Sequence, residues 1–161
     1  MVAFYYAAVA LITAYLLLTI WRFKKVPKSI SDTYYQWAEV GTKYLFTFVM
    51  WAVGILILIY WVSRAEFYKC QFLAFTSVSG MCFVGGACAF KETLTKATHF
   101  TSAGIWAASA LLFFIINGMF IPIMVGGIAG LVALFADKFN HYTFWAELAC
   151  VIMMIAGIGI L

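Results

Sequence analysis

The chain is predicted to be all-α: a polytopic transmembrane bundle of six spans, N-out and C-out, forming one integral-membrane domain over residues 1–161. Three observations predict it. Of the 161 residues, 66% are hydrophobic and only 10% are charged, with a mean hydropathy of +1.04; a soluble domain of this length cannot bury that share of apolar side chains. The apolar residues fall in six long runs, and the charges sit almost entirely in the gaps between them.

A helix needs about 20 predominantly apolar residues to cross a hydrocarbon core roughly 30 Å thick. By that rule the spans are Val2–Trp21, Thr42–Val62, Gln71–Phe90, Ala97–Ile116, Gly118–Ala136 and Tyr142–Leu161. The runs are too long and continuous for the alternation of a membrane barrel, whereas helices satisfy their own backbone hydrogen bonds in lipid. The first span has no charge before it and a basic cluster directly after it, the reverse of a secretory signal, so it is expected to be retained. In the long first connection, Arg22–Gly41, Pro27 stops one helix. Ser31 or Asp32 is then placed to cap another that runs through Trp37 into the second span. Residues Ala97–Ala136 form a 40-residue block that would be about 60 Å long as one helix. A hairpin turning at Asn117-Gly118 is therefore expected, with a re-entrant pair as the alternative, because Asn and Gly tolerate left-handed turn conformations. The short later connections should set neighbouring spans antiparallel and side by side.

Orientation follows from the basic residues. Arg22, Lys24, Lys25, Lys28 and Lys43 flank the first connection, Lys91 and Lys96 the third, and Lys138 the fifth; Arg64 and Lys69 are on the other side. Eight against two places the first connection in the cytoplasm and both termini outside, with the bacterial inner (plasma) membrane as the expected location. Tyr34, Tyr35 and Trp37, then Tyr60, Trp61 and Tyr68, then Phe139, Tyr142 and Trp145 read as aromatic belts. The net charge of +4 is this topology signal. It implies the lipid bilayer as partner, with a weak attraction of Arg22–Lys28 to anionic lipid, and no nucleic acid.

Small residues recur four apart: Gly85 and Ala89, Cys82 and Gly86, Ala103 and Ala107, Gly104 and Ala108, Gly126 and Gly130. Such spacing lets helices approach closely inside one bundle, and Gly126–Gly130 is the segment expected to serve a homo-oligomer if one forms. Membership in a larger membrane assembly is also open. The four cysteines show no metal spacing; Cys82 and Cys88 fall on different faces of a helix, and buried cysteines act as small hydrophobes. No phosphate-binding loop, dinucleotide glycine fingerprint, metalloprotease helix or CxxC occurs, so no cofactor and no metal site are expected.

The polar residues that resist this pattern are the candidate site. If Glu147 lay outside the membrane, the last span would shrink to Leu148–Leu161, 14 residues, about 21 Å and too short to cross. A carboxylate drawn below the interface must find a partner or take up a proton. His99, at the start of the fourth span, falls at the same end of the bundle. Asp32, Glu39, Asp137 and His141 belong to loops or helix ends on that face, and Glu92 joins them if it folds inward. The binding candidates are thus Ser31, Asp32, Glu39, His99, Asp137, His141 and Glu147. His99, Glu147 and Asp32 are the acid–base candidates should the chain be an enzyme. The plainest reading is a structural pair, His99 with Glu147, holding the fourth and sixth spans in register.

The stretch Pro27, then Ser29-Ile30-Ser31-Asp32-Thr33 leading into the second span, resembles six-span membrane proteins of the damage-regulated autophagy modulator type and their bacterial relatives. Gly80, Gly85 and Gly86 in the third span and His99 opening the fourth are similar to the bacterial group. That resemblance implies a membrane protein without a defined reaction. The chain is also similar to alkaline ceramidase-like hydrolases in being helical with polar residues near one membrane face. That family uses three zinc-binding histidines, however, and this chain has only His99 and His141. The reading that follows is a non-enzymatic binding, accessory or permeation component. A membrane-embedded enzyme acting on a lipid headgroup, and a small proton-coupled transporter using Glu147, are the alternatives.

Overall fold

The computed structural model describes residues 1–87 and 92–161, with side chains described outside 88–96. The expected packing of Cys88 and Ala89, the basic pair Lys91 and Lys96, and the inward folding of Glu92 lie outside the described residues. The helices are α1 (Val2–Phe23), α2 (Thr33–Glu39), α3 (Tyr44–Ala65), α4 (Phe72–Ala87), α5 (Glu92–Ile116), α6 (Phe120–Ala136) and α7 (Tyr142–Ile160). Among the described residues, four segments are long and apolar enough to cross a membrane: α1, α3, Ala97–Ile116 of α5, and α7. The other two apolar helices are α4, described over 16 residues up to the edge of the described residues, and α6 with 17, or about 26 Å. Their outer faces carry exposed Phe75, Phe83, Phe120, Ile128 and Phe135, as suits contact with lipid.

The helix expected to run from Asp32 through Trp37 into the second span is instead broken. α2 ends at Glu39, and Gly41 takes φ +80° before α3 begins at Tyr44. That break lets α2 lie across the end of the bundle against α3, with Thr33, Tyr34, Gln36 and Trp37 buried. Asp32 stands at the N-cap but its side chain makes no capping bond.

The long helices pack in the order α1 on α3, α3 on α4 and α4 on α5. A second correction concerns α6. It turns back from α5 at Gly118, φ +70°, but packs along α7 and barely touches α5. Glycine explains the choice. A Cβ at Gly126 would lie 2.7 Å from the Ala149 carbonyl oxygen, and one at Gly130 would lie 2.7 Å from Ala149 Cβ. The segment expected to serve self-association therefore spends Gly126 and Gly130 inside the chain, on α7. Gly80 plays the same part between α4 and α5, where a Cβ would sit 2.7 Å from Trp106 N and 2.8 Å from Ser102 O.

The two ends of the bundle are distinct. At one, Tyr5 of α1 donates its hydroxyl proton to Ile155 O of α7 at 3.1 Å. Arg64, in the last turn of α3, donates from Nε to Leu161 O at 2.8 Å and again from its guanidinium NH2. There too, Lys69 N donates to Asn117 Oδ1 at 2.8 Å and Asn117 Nδ2 to Lys69 O at 3.1 Å, tying the second and fourth connections together. The first connection closes the opposite end.

Candidate functional site

The first connection enters the bundle because its polar groups find partners there. Thr19, four residues beyond Tyr15 on α1, donates to Tyr15 O at 2.8 Å and accepts from Trp37 Nε1 at 3.0 Å. Thr33 Oγ1 lies 2.5 Å from Tyr15 Oη and donates to Ile30 O at 2.5 Å. These bonds are buried, so each spares a polar group that would otherwise be desolvated without a partner. Pro27 and Ile30 are buried with them.

Glu147, on the second turn of α7, completes the arrangement from the far side of the chain. Its Oε2 accepts the Ile30 backbone N–H at 2.5 Å. Its Oε1 lies 3.9 Å from His99 Nε2, which is 3.3 Å from Ser31 Oγ. Ser31 Oγ in turn meets Ser29 Oγ at 3.0 Å, and Ser29 Oγ accepts the Asp32 N–H at 2.9 Å. The carboxylate and imidazole side chains are only 20% and 15% exposed, so both are largely withdrawn from water.

The structure thus brings Ser31, Asp32, His99 and Glu147 together. The chemistry open to them is limited by which atoms meet. A hydroxyl–imidazole–carboxylate relay uses both ring nitrogens, one toward the nucleophile and the other toward the acid. Here Ser31 and Glu147 face the same nitrogen, and Glu147 Oε2 is already engaged by the backbone. The set is built as a clamp on residues 30 and 31.

Asp137 and His141 belong to a separate cluster at the α6–α7 turn. Asp137 Oδ2 accepts from His141 N at 3.0 Å, faces His141 Nδ1 at 2.7 Å, and accepts from Trp145 Nε1 at 2.9 Å. The bonds from Trp145 and His141 hold the Asp137 carboxyl below the usual carboxylate range by favouring its charged form. The stabilisation this gives is complete above the ordinary carboxylate pKa and is lost as pH falls through the lowered one. Asp137→Asn is therefore expected to lower the melting temperature at about pH 7, and the gap from the parent protein should close toward about pH 3. A gap independent of pH would show that the charge plays no part.

Glu39 is exposed and joins neither cluster. Tyr15, Thr19, Thr33, Gln36 and Trp37 were missed as site residues. Tyr15 and Thr19, four apart on one face of an otherwise apolar helix, were the legible signal; the Ile30 N–H has none. Below the clamp, Ile30, Ser31 and Glu147 cap a space of about 20 Å³ lined by Met50, Met81 and Trp106 among others, room for about one water molecule. Among the described residues no three His, Cys, Asp or Glu side chains are placed to hold a metal ion. Comparison with protein-family models, curated proteins and solved structures finds no match to this chain.

Proposed function

We propose that the protein is a six-crossing integral membrane component, both termini outward, that acts in binding, permeation or as an accessory subunit. Its first connection is a plug seated in the cytoplasmic end of the bundle. The observation that carries this reading is the hydrogen bond from Ile30 N–H to Glu147, which joins the first connection to the last helix across 117 positions. A carboxylate accepting backbone N–H groups makes one of the stronger bonds available to a protein. This one closes the mouth of an apolar interior. The eight-to-two division of basic residues supports the orientation, and so does the meeting of Tyr5 with Ile155 at the end opposite the plug. α6 crosses if the bilayer thins around it. The stretch from Ser29 to Thr33, on which the resemblance to the damage-regulated autophagy modulator type was drawn, is the seated segment.

The test is accessibility. Ile30 is 5% exposed. In a background with the native cysteines changed to alanine, Ile30→Cys should react slowly with a membrane-impermeant maleimide applied from the cytoplasmic side. Adding Glu147→Ala should speed labelling by about thirtyfold or more, the factor that about 2–3 kcal/mol in the opening equilibrium produces. Equal rates with and without Glu147 would sink the plug, and labelling from the outer side alone would reverse the orientation. The reading as a lipid-headgroup enzyme draws on the 3.3 Å approach of Ser31 Oγ to His99 Nε2; it requires the imidazole to leave Glu147 and present its second nitrogen.

A further inference from the structure

We propose that the seated first connection binds a small cation, either a dissolved metal ion or the ammonium of a lipid headgroup, between Asp32 and Gln36 beside Glu147. The proposal rests on the plug being seated as above, and a different residue carries it. Gln36 is 6% exposed and sits one turn beyond Asp32 on α2, its Nε2 donating to Asp32 Oδ2 at 3.4 Å. The other end of the same amide, Oε1, is buried and accepts no hydrogen bond among the described residues. Buried side-chain oxygens in native proteins have partners. Turning the amide over does not supply one: the oxygen would then face the Asp32 carboxylate and the nitrogen would lose its acceptor. What the place calls for is a donor or a cation.

Charge decides between them. The Asp32 carboxylate meets the same amide at 3.4 Å, so whatever completes Gln36 stands beside an acidic group. Among the described residues, the titratable group paired with Glu147 is the His99 imidazole, at 3.9 Å; Ser29 and Ser31 contribute neutral hydroxyls already bonded to each other. A carboxylate this close to the unfilled acceptor favours a positively charged donor over a neutral one. The acceptors are all oxygen, two carboxylates and an amide carbonyl, the donor set that hard cations such as calcium, magnesium or sodium take. An ammonium group, with three N–H donors and one positive charge, meets the same requirement.

Thermal unfolding of the purified full-length protein tests this. In detergent, CaCl2, MgCl2 and NaCl are titrated against choline chloride at matched ionic strength. In nanodiscs, phosphatidylethanolamine is compared with phosphatidylcholine, whose headgroup lacks N–H donors. A ligand at about a hundred times its Kd should raise Tm by about 5 °C or more. A rise with one of the metal salts identifies a dissolved ion, and a rise with phosphatidylethanolamine alone identifies the lipid ammonium. Either rise should be lost in Gln36→Met and in Asp32→Asn. No rise under any condition, or an equal rise in Gln36→Met, would overturn the proposal; without a ligand, Gln36→Met should itself raise Tm, because it replaces an unpaired buried acceptor by an apolar chain. Slow labelling of Ile30→Cys in the Gln36→Met protein would show the plug still seated, separating failure of this site from failure of the plug.

Discussion

Replacing Gly80 by alanine is expected to cost about 3 kcal/mol of stability, the upper part of the range for overpacking a tight interior. The added methyl group would lie 2.7 Å from the Trp106 nitrogen and 2.8 Å from the Ser102 carbonyl oxygen. Both are backbone atoms of a neighbouring helix. A side chain in the way can change rotamer, but a helix backbone can only move as a body, and moving α5 would break the bond from Ser77 Oγ to Trp106 O, 3.0 Å long and buried. Gly104, on the same α5, is the control. Nothing lies within 4 Å of a Cβ built there, so Gly104→Ala should stabilise by roughly 0.5–1 kcal/mol through helix propensity. Denaturant or thermal unfolding in one detergent compares the two. Equal effects at the two sites would show that the close approach of α4 and α5 is not what Gly80 serves.

Removing the carboxylate of Glu147 should do comparable damage. Glu147→Ala leaves the Ile30 N–H, a buried donor, without its acceptor, and loses the contact with His99; about 2–3 kcal/mol is expected. Glu147→Gln keeps an oxygen in reach of Ile30 and should cost less than alanine, about 1 kcal/mol or under. The ordering of the two variants is the informative result. If alanine and glutamine were both neutral, the side chain would merely snorkel toward the interface, and the clamp on residues 30 and 31 would have no energetic content.

Much of this site was legible in part. Glu147 could be singled out because the last span is too short without it, and His99 because it opens an apolar run at the same end. That they stand at one end follows once alternate connections share a side; their approach to 3.9 Å is set by the fold. The pairing of Asp137 with His141 was available as a four-residue spacing on a helix entry, yet sidedness alone grouped it with the rest. Side alone does not say which groups touch. The role of Gln36 was hidden because a single amide on a short two-turn helix carries no periodic signal. The break between α2 and α3 was hidden because capping residues mark where a helix starts and say little about where it stops.

The sequence by itself determined that this chain is helical, that most of its helices are apolar enough to meet lipid, and that its charges gather between the apolar runs. Those properties are sums over neighbouring residues, and hydropathy and charge add along the chain without reference to the fold. Only the tertiary structure decided that α6 leans on α7 rather than α5, that Gly80 lies against a helix backbone, and that Glu147 closes on the first connection. Each of those depends on a contact between distant segments. In the last case the decisive partner is a backbone N–H, a group that every residue but proline carries and that becomes distinctive only when folding leaves it buried beside a carboxylate.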